Sequence, residues 1–516
     1  MTALQRQQQQ QMEQQKQHHF FLFRHCARST SFTIDLKLND NSSATKYPSD
    51  PQTYVQEPLP NWQVPEDWCT PKALEDVQLM GQRLVDDGVI EGGGVNAHKH
   101  GLSSNRKIQF EFIADTSHRD VDTAYALALG LNDAFVQQAS SLESAGIFDL
   151  FYAPWLFDPI EEALCEEKFT LDELMASAQN RLDHIPSPDI LQSLAKLEEV
   201  AGVGSFGSIR DKVPINLTLT STQNDKIHIS GVARLLKEFA QILFYSRAGK
   251  IDPPFAPQAN AQDVYDLVQW VHYTRSIEDV GNSKAATGGA VLIEAMFRVL
   301  QQGFYQRRMA HTHQTIIEDD YDSRVTILIG HDGDLDSMAT ALGVSWQPDD
   351  VYRSENGQYV PTPPMSGIHA VRYVETGGIK IEFLYPDYDL TEASNATIFP
   401  KSVLVNFPSS ATIDPSSIRL EELRAYTIEQ LRQYTGAVDC FQAAASFHAH
   451  TDEYGKSSGW SSVSASTATT LVTIGATVGF LAAVLVFCGM TCRRGQIKTQ
   501  NYELASGQGR TGVELV

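Results

Sequence analysis

Two short apolar runs, residues 20–23 and 325–329, lie more than three hundred residues apart, and each ends in a cluster of charged and histidine side chains. Near-continuous apolar runs of this length suit strands buried on both faces, as in a parallel sheet covered by helices. In such a sheet, ligands bind beyond the carboxyl ends of the strands, at a switch point in the topology. Arg24-His25-Cys26-Ala27-Arg28 follows the first run and His331-Asp332 the second. Two strand ends carrying arginines, histidines and one carboxylate point to an anion site, phosphate above all, with its own nucleophile.

The rest of the chain is organised around that pair. Residues 1–18 are a glutamine-rich segment expected to be disordered, with nine glutamines among the first seventeen residues. A strand at 19–23 leads into the Arg-His loop, and 39–67 is a Ser/Pro/Asn-rich loop. A helix is expected at 71–86 and a strand at 107–114. That strand runs into Asp115-Thr116-Ser117-His118-Arg119 and a helix at 120–131, with Ser117 and Asp120 spaced as a capping box that sets Arg119 at the helix N-terminus. Helices are expected at 287–302 and 335–342, the latter stopped by Gly343. Strands at 369–375 and 378–384 form a hairpin. The fold expected is α/β: a central, mostly parallel sheet flanked by helices. Its two halves, 19–134 and 278–440, are separated by a mainly helical cap at 135–277. A Ser/Thr-rich stalk at 441–467 follows.

Residues 468–490 are almost wholly apolar, and no charged residue occurs from 457 to 492. As a helix these residues would span ~34 Å, enough for a bilayer core. Arg493, Arg494 and Lys498 follow, so the positive-inside rule sets the tail 491–516 in the cytosol and the large domain on the luminal or extracellular side, in a lysosome or vacuole or at the cell surface. Sequons at Asn41, Asn216 and Asn395 agree with that side. The first residues hold no apolar signal sequence; the expectation is a start upstream of Met1 rather than a tail-anchored cytosolic enzyme. The net charge of −23 excludes a nucleic-acid surface. Cys26, Cys69, Cys165 and Cys440 allow three complete pairings; with Cys26 in the site, one bridge among the others is expected.

These residues resemble a known pattern. Arg24-His25-Cys26-Ala27-Arg28 is similar to the Arg-His-Gly-x-Arg signature of the histidine acid phosphatases, and Gly330-His331-Asp332 to their His-Asp signature. Asp115 to Arg119 resembles the region of the family's third arginine, Thr70-Pro71 its first long helix, and Thr287-Gly288-Gly289 a recurring helix start. The resemblance covers about residues 20–440. It implies a phosphoglycerate-mutase-like sheet, and the stalk, single span and short tail are similar in layout to the lysosomal acid phosphatases. It implies catalytic His25 and Asp332, with Arg24, Arg28, Arg119 and His331 binding the phosphate.

The chemistry agrees with those residue types. Guanidinium forks grip phosphate oxygens in pairs and offset the charge that repels a nucleophile. A neutral imidazole at His25 attacks phosphorus and forms a phosphohistidine. Asp332 protonates the leaving oxygen and then activates water, a role for which a raised pKa is expected. No metal or other cofactor is implied. The partners are a small phosphorylated substrate and the membrane, with no nucleic acid; oligomeric state is open, a homodimer included.

Two departures matter. Cys26 stands where the family has glycine and Thr30 where it has proline; Cys26 is expected to narrow the pocket, shift His25 or add a redox-sensitive thiol. Asp334 adds negative charge beside the phosphate. These motivate another reading, a non-catalytic ectodomain that kept the fold; within the class the nearest alternative is a phytase or inositol-phosphate phosphatase, which a basic rim on the cap would favour. Gly202-x-Gly204-x-x-Gly207 lacks the preceding strand of a dinucleotide site. Asp332-x-Asp334-x-Asp336 lacks the glycine and final glutamate of a calcium loop.

Overall fold

The computed structural model describes residues 16–30, 52, 55, 57–90, 108–138, 148–162, 164–165, 169–201, 215–221, 227–303, 323–347, 361–386, 400–408, 413–454 and 463–464. The chain divides into two compact units, 1–461 and 462–516, and the second holds one short described strand, Val463–Ser464. In the first unit the order is β1 (Gln17–Arg24), α1 (Pro71–Asp86), β2 (Ile108–Ala114), α2 (His118–Gln138), β3 (Phe148–Tyr152), α3 (Pro154–Phe157), α4 (Leu171–His184), α5 (Ile190–Val200), β4 (Leu219–Ser221), β5 (Ile227–Ile229), α6 (Val232–Ala248), α7 (Ala261–Glu278), α8 (Ser283–Gln302), β6 (Ser323–Gly330), α9 (Asp332–Leu342), β7 (Gly367–Tyr373), β8 (Gly378–Pro386), β9 (Pro400–Leu404), β10 (Ile418–Arg419), α10 (Leu420–Leu431) and α11 (Ala437–Tyr454).

The main sheet runs β10-β8-β7-β1-β6-β2-β3, with β9 pairing β8. Its centre is parallel: β1 with β6, β6 with β2, and β2 with β3. On the other side of β1 the strands β7, β8, β9 and β10 are antiparallel. Phe20, Phe21, Leu22 and Phe23 are fully buried, because helices cover both faces of the parallel part. α8 and α9 pack on β1, and α2 packs on β2 and β6. Between β3 and α8 lie four longer helices, α4 to α7, and a small antiparallel hairpin of β4 and β5 that periodicity did not reveal.

Helix ends follow local chemistry. Thr70 accepts the Ala73 N–H and Pro71 fills the first turn of α1. Asn282 caps α8, which starts at Ser283, four residues earlier than the expected start at 287, and Gly303 in the left-handed region ends it. α9 begins at Asp332 rather than near 335, so Asp332 is its first residue and Gly343 its left-handed stop. The stalk expected from 441 is helical up to Tyr454. Phe441 and Ala444 are buried and α11 packs on α8, an apolar periodicity that the Ser/Thr composition concealed. No helix among the described residues is long and apolar enough to cross a membrane; the span expected at 468–490 and the tail lie outside the described residues.

Two pairs of helices meet without side chains between them. A Cβ on Gly130 would fall 1.8 Å from the Gln78 carbonyl oxygen, and one on Gly289 would fall 2.0 Å from that of Ser337. The first contact joins α1 to α2, the second α8 to α9. Cys165 and Cys440 form a disulfide that ties the segment before α4 to α11.

A polar chain crosses β1, β7 and β8 inside the core. His369 donates from Nδ1 to Glu382 at 2.9 Å, since the carboxylate can only accept. Its Nε2 lies 3.1 Å from His19 Nδ1, and the Gln17 side-chain oxygen lies 2.9 Å from His19 Nε2. Burial lowers the pKa of both histidines, so each stays neutral. Their stabilisation is present above the ordinary histidine value and is lost as pH falls below it, because the unfolded chain then binds more protons.

Gly289→Ala and Gly130→Ala should each lower stability by about 1–3 kcal/mol or more through overpacking. Gly333→Ala, where a Cβ meets nothing within 4 Å, should be neutral or slightly stabilising. Urea midpoints distinguish these outcomes. His369→Gln should flatten the fall in melting temperature between about pH 7 and about pH 5; an unchanged slope would show that this histidine does not carry the pH term.

Candidate active site

The register of the parallel strands sets the site. Arg24 pairs with Gly330 at the ends of β1 and β6, and Ala114 pairs with Ile329 at the end of β2. Three loops therefore leave one edge of the sheet together: 25–28, 115–119 and 331–332. The His25 N–H donates to the Gly330 carbonyl at 2.9 Å, and the Asp115 N–H to the Ile329 carbonyl at 3.3 Å. Two cross-links hold the first loop from the other side. The Arg24 N–H donates to the Ser366 carbonyl at 2.8 Å, and the Met365 N–H to the His25 carbonyl at 3.2 Å.

His25 is buried, with 2% of its surface exposed. Its Nδ1 lies 2.8 Å from the Cys26 carbonyl oxygen. A carbonyl only accepts, so Nδ1 carries the proton and Nε2 keeps its lone pair. Burial lowers the His25 pKa well below the ordinary value, and His331, Arg119, Arg24 and Arg28 push the same way. The ring is thus a neutral imidazole among cations. His331 meets it edge to face, with ring centroids 5.5 Å apart.

Arg24 donates to the Thr362 carbonyl and the Tyr245 hydroxyl, and its Nη2 lies 3.2 Å from Asp332 Oδ2. Arg28 pairs with Asp67, and Arg119 Nη1 lies 3.7 Å from the same Asp67 oxygen. Both Arg24 and Arg28 sit over the Tyr245 ring, 5.6 and 5.7 Å from its centroid. Sequence reasoning missed Tyr245 and Asp67. Tyr245 is on α6, in the segment where no motif is visible, and Asp67 closes a loop that composition alone describes.

His331 is surrounded by carboxylates: Asp120 at 3.3 Å, Asp334 at 3.6 Å and Asp115 at 3.9 Å. Burial works against its charge, but Asp334 and Asp120 outweigh it and raise the pKa to about 9. His331 is therefore a cation at neutral pH. Asp334 also accepts the His331 backbone N–H at 2.6 Å, which closes the first turn of α9. Asp120 is fully buried, and burial pushes its carboxyl up to about 6.

Asp332 corrects an expectation. Burial raises its pKa, but Arg24, Arg275 and the His331 cation prevail and hold the carboxyl well below the usual range. Arg275 Nε is 3.7 Å from Asp332 and 2.9 Å from Asp336, one turn along α9. Asp334 and Asp336 are thus engaged by His331 and Arg275, an arrangement unlike a calcium loop.

Cys26 corrects a second expectation. It is bonded to Cys69 and fully buried, so it is no free thiol, and the described cysteines form two bridges rather than one. The Cys26–Cys69 bridge spans 43 residues, worth on the order of 4 kcal/mol in loop-closure entropy. It fastens the 67–70 segment to the Arg-His loop, where the Ser29 N–H donates to the Trp68 carbonyl at 2.9 Å and the Thr70 N–H to the Ala27 carbonyl at 3.2 Å. Thr123 accepts the Cys26 N–H at 3.0 Å and donates to the Arg119 carbonyl at 2.6 Å, joining the first loop to α2.

One ligand atom from each of His25, Asp120 and His331 lies within 4.8 Å of the others, a spacing a cation could use. The cationic His331 and the three guanidiniums beside it make the pocket an anion site instead. Asn216 is exposed; Asn41 and Asn395 lie outside the described residues.

No family model and no curated relative matches the chain. Solved structures do. The phytase from Citrobacter braakii superposes with a TM-score of 0.57 at 17% identity, covering 81% of this chain and 98% of that one. Hafnia alvei phytase in complex with tartrate gives 0.58 at 16% identity, covering 82% and 98%. Klebsiella sp. ASR1 phytase gives 0.54 at 14% identity, covering 82% and 97%. The chain has the fold of these phytases, the fold that its Arg-His and His-Asp segments had implied through the histidine acid phosphatases.

Proposed function

We propose that the protein hydrolyses phosphate monoesters through a covalent phosphohistidine on His25. The observation that carries this reading is the neutral His25 ring, whose Nδ1 is committed to the Cys26 carbonyl and whose Nε2 is free, beside Arg24, Arg28 and Arg119. A substrate phosphoryl group takes its nonbridging oxygens to those guanidiniums and to the His331 cation, which lowers the barrier by offsetting charge where it develops. His25 Nε2 attacks phosphorus, the bond from phosphorus to the leaving oxygen breaks, and Asp332 delivers a proton to that oxygen. Water then loses a proton to Asp332 and attacks phosphorus. The N–P bond breaks, releasing phosphate and restoring neutral His25.

Asp332 is ionised in the free protein, so its proton must arrive with substrate. A phosphate monoester has a second pKa near ~6 and is largely monoanionic in acid. Binding it to Arg24 also removes a cation from Asp332 and adds negative charge nearby, both of which raise the carboxyl pKa. An acidic optimum follows from these two effects.

Two disulfides support folding in an oxidising compartment. With the apolar segment 468–490 and the basic residues after it, they favour a luminal or extracellular catalytic domain anchored by one span. A phytase activity is the second reading, because the three solved structures named above are phytases by name.

Hydrolysis of an aryl phosphate by the purified chain, from about pH 3 to about pH 9, tests the class. Turnover best in acid and abolished in His25→Ala is expected; no turnover at any pH from folded protein would favour a non-catalytic ectodomain. The profile of kcat/KM should show no acidic limb near 6.5, the ordinary histidine value, because His25 stays neutral well below it. Asp332→Asn should lower kcat by about 10²- to 10⁴-fold for alkyl phosphates. With a nitrophenyl leaving group, which departs without a proton, the loss should be far smaller.

A further inference from the structure

We infer that Asp67 is a specificity-determining residue: its carboxylate occupies the anion position between Arg28 and Arg119, and a substrate phosphate must displace it. The inference rests on the phosphatase reading above and names the substrates that site prefers, monoesters with one phosphate and a neutral or cationic leaving group.

One carboxylate oxygen of Asp67 faces both guanidiniums, pairing with Arg28 and lying 3.7 Å from Arg119 Nη1. The two arginine side chains are each 19% exposed while that of Asp67 is 48% exposed, so the carboxylate covers them from the solvent side. Its position is imposed by the backbone. Asp67 has a φ of 64°, in the left-handed region, and Cys69 two residues later is bonded to Cys26 beside the nucleophile. The Ser29–Trp68 and Thr70–Ala27 hydrogen bonds add to that bond, so the segment bearing Asp67 has little freedom to leave the mouth of the pocket.

The consequence is electrostatic. When a phosphoryl group displaces Asp67 from the two arginines, the carboxylate stays within a few ångströms, next to the leaving group. A second phosphate on the same substrate meets that fixed negative charge, whereas an uncharged or amino-bearing group does not. Asp67 is half exposed, and at a dielectric close to that of water one charge at this range is worth on the order of tenfold in binding.

Asp67→Asn removes the charge and suits the same backbone, since asparagine tolerates positive φ. Asp67→Gly is the second variant, free of any side chain. Calorimetric titration with inorganic phosphate reads affinity without turnover. Both variants should bind phosphate about tenfold more tightly than the unmodified chain. Their kcat/KM for myo-inositol hexakisphosphate, relative to an aryl phosphate, should rise by a similar factor. Unchanged or weaker phosphate binding in both variants would overturn the inference, showing that Asp67 orders the arginines rather than competing for them. So would an unchanged substrate ratio. If the unmodified chain binds phosphate but hydrolyses nothing, the hydrolytic reading fails, and the calorimetric comparison still decides the role of Asp67.

Discussion

Arg24 and Gly330 end two parallel strands side by side, and the Gly330 carbonyl accepts the His25 N–H at 2.9 Å. Arg24, His25, His331 and Asp332 are positioned from that junction. The second strand hands the chain at once to α9, so His331 caps a helix whose first residue is Asp332. β2 joins the same edge and contributes Arg119 from the start of α2. The strands are buried on both faces, and a one-residue slip would turn every apolar side chain to the opposite face. Burial of the sheet and alignment of the site are therefore one constraint.

The electrostatics of the pocket are balanced rather than simply positive. Arg24 faces Asp332, Arg28 and Arg119 face Asp67, and His331 faces Asp120, Asp334 and Asp115. His25 forms no ion pair with a carboxylate among the described residues, and burial beside those cations keeps it neutral. A neutral histidine next to a charged one is an outcome of position: the two rings lie 5.5 Å apart yet their pKa values move in opposite directions. The same arrangement, with Arg24 and Arg275 facing Asp332, holds that carboxyl ionised.

The disulfide at Cys26 gives the Arg-His loop a rigidity that glycine would not. It joins the residue after His25 to the segment that bears Asp67 and the cap of α1. Arg275 does something related from α7, since its contacts with Asp336 and Asp332 fasten α9 to a neighbouring helix.

The parallel strands, α1 and the polar clusters at 24–28 and 331–332 were legible in the sequence, because they depend on local periodicity, turn chemistry and short spacing. Residues 20–23 announce a buried strand by composition alone, and Thr70-Pro71 announces a helix start. Whatever depends on distant partners was not legible. The pairing of Cys26 with Cys69, the approach of Tyr245 and Asp67 to the arginines, and the His19–His369–Glu382 chain each join residues that share no local pattern. The pKa of Asp332 belongs to the same class: a carboxylate's proton affinity is set by which charges surround it. Sequence determined which chemistry was present and at which strand ends; tertiary structure decided the charge each group carries, because charge in a buried site is a property of neighbours.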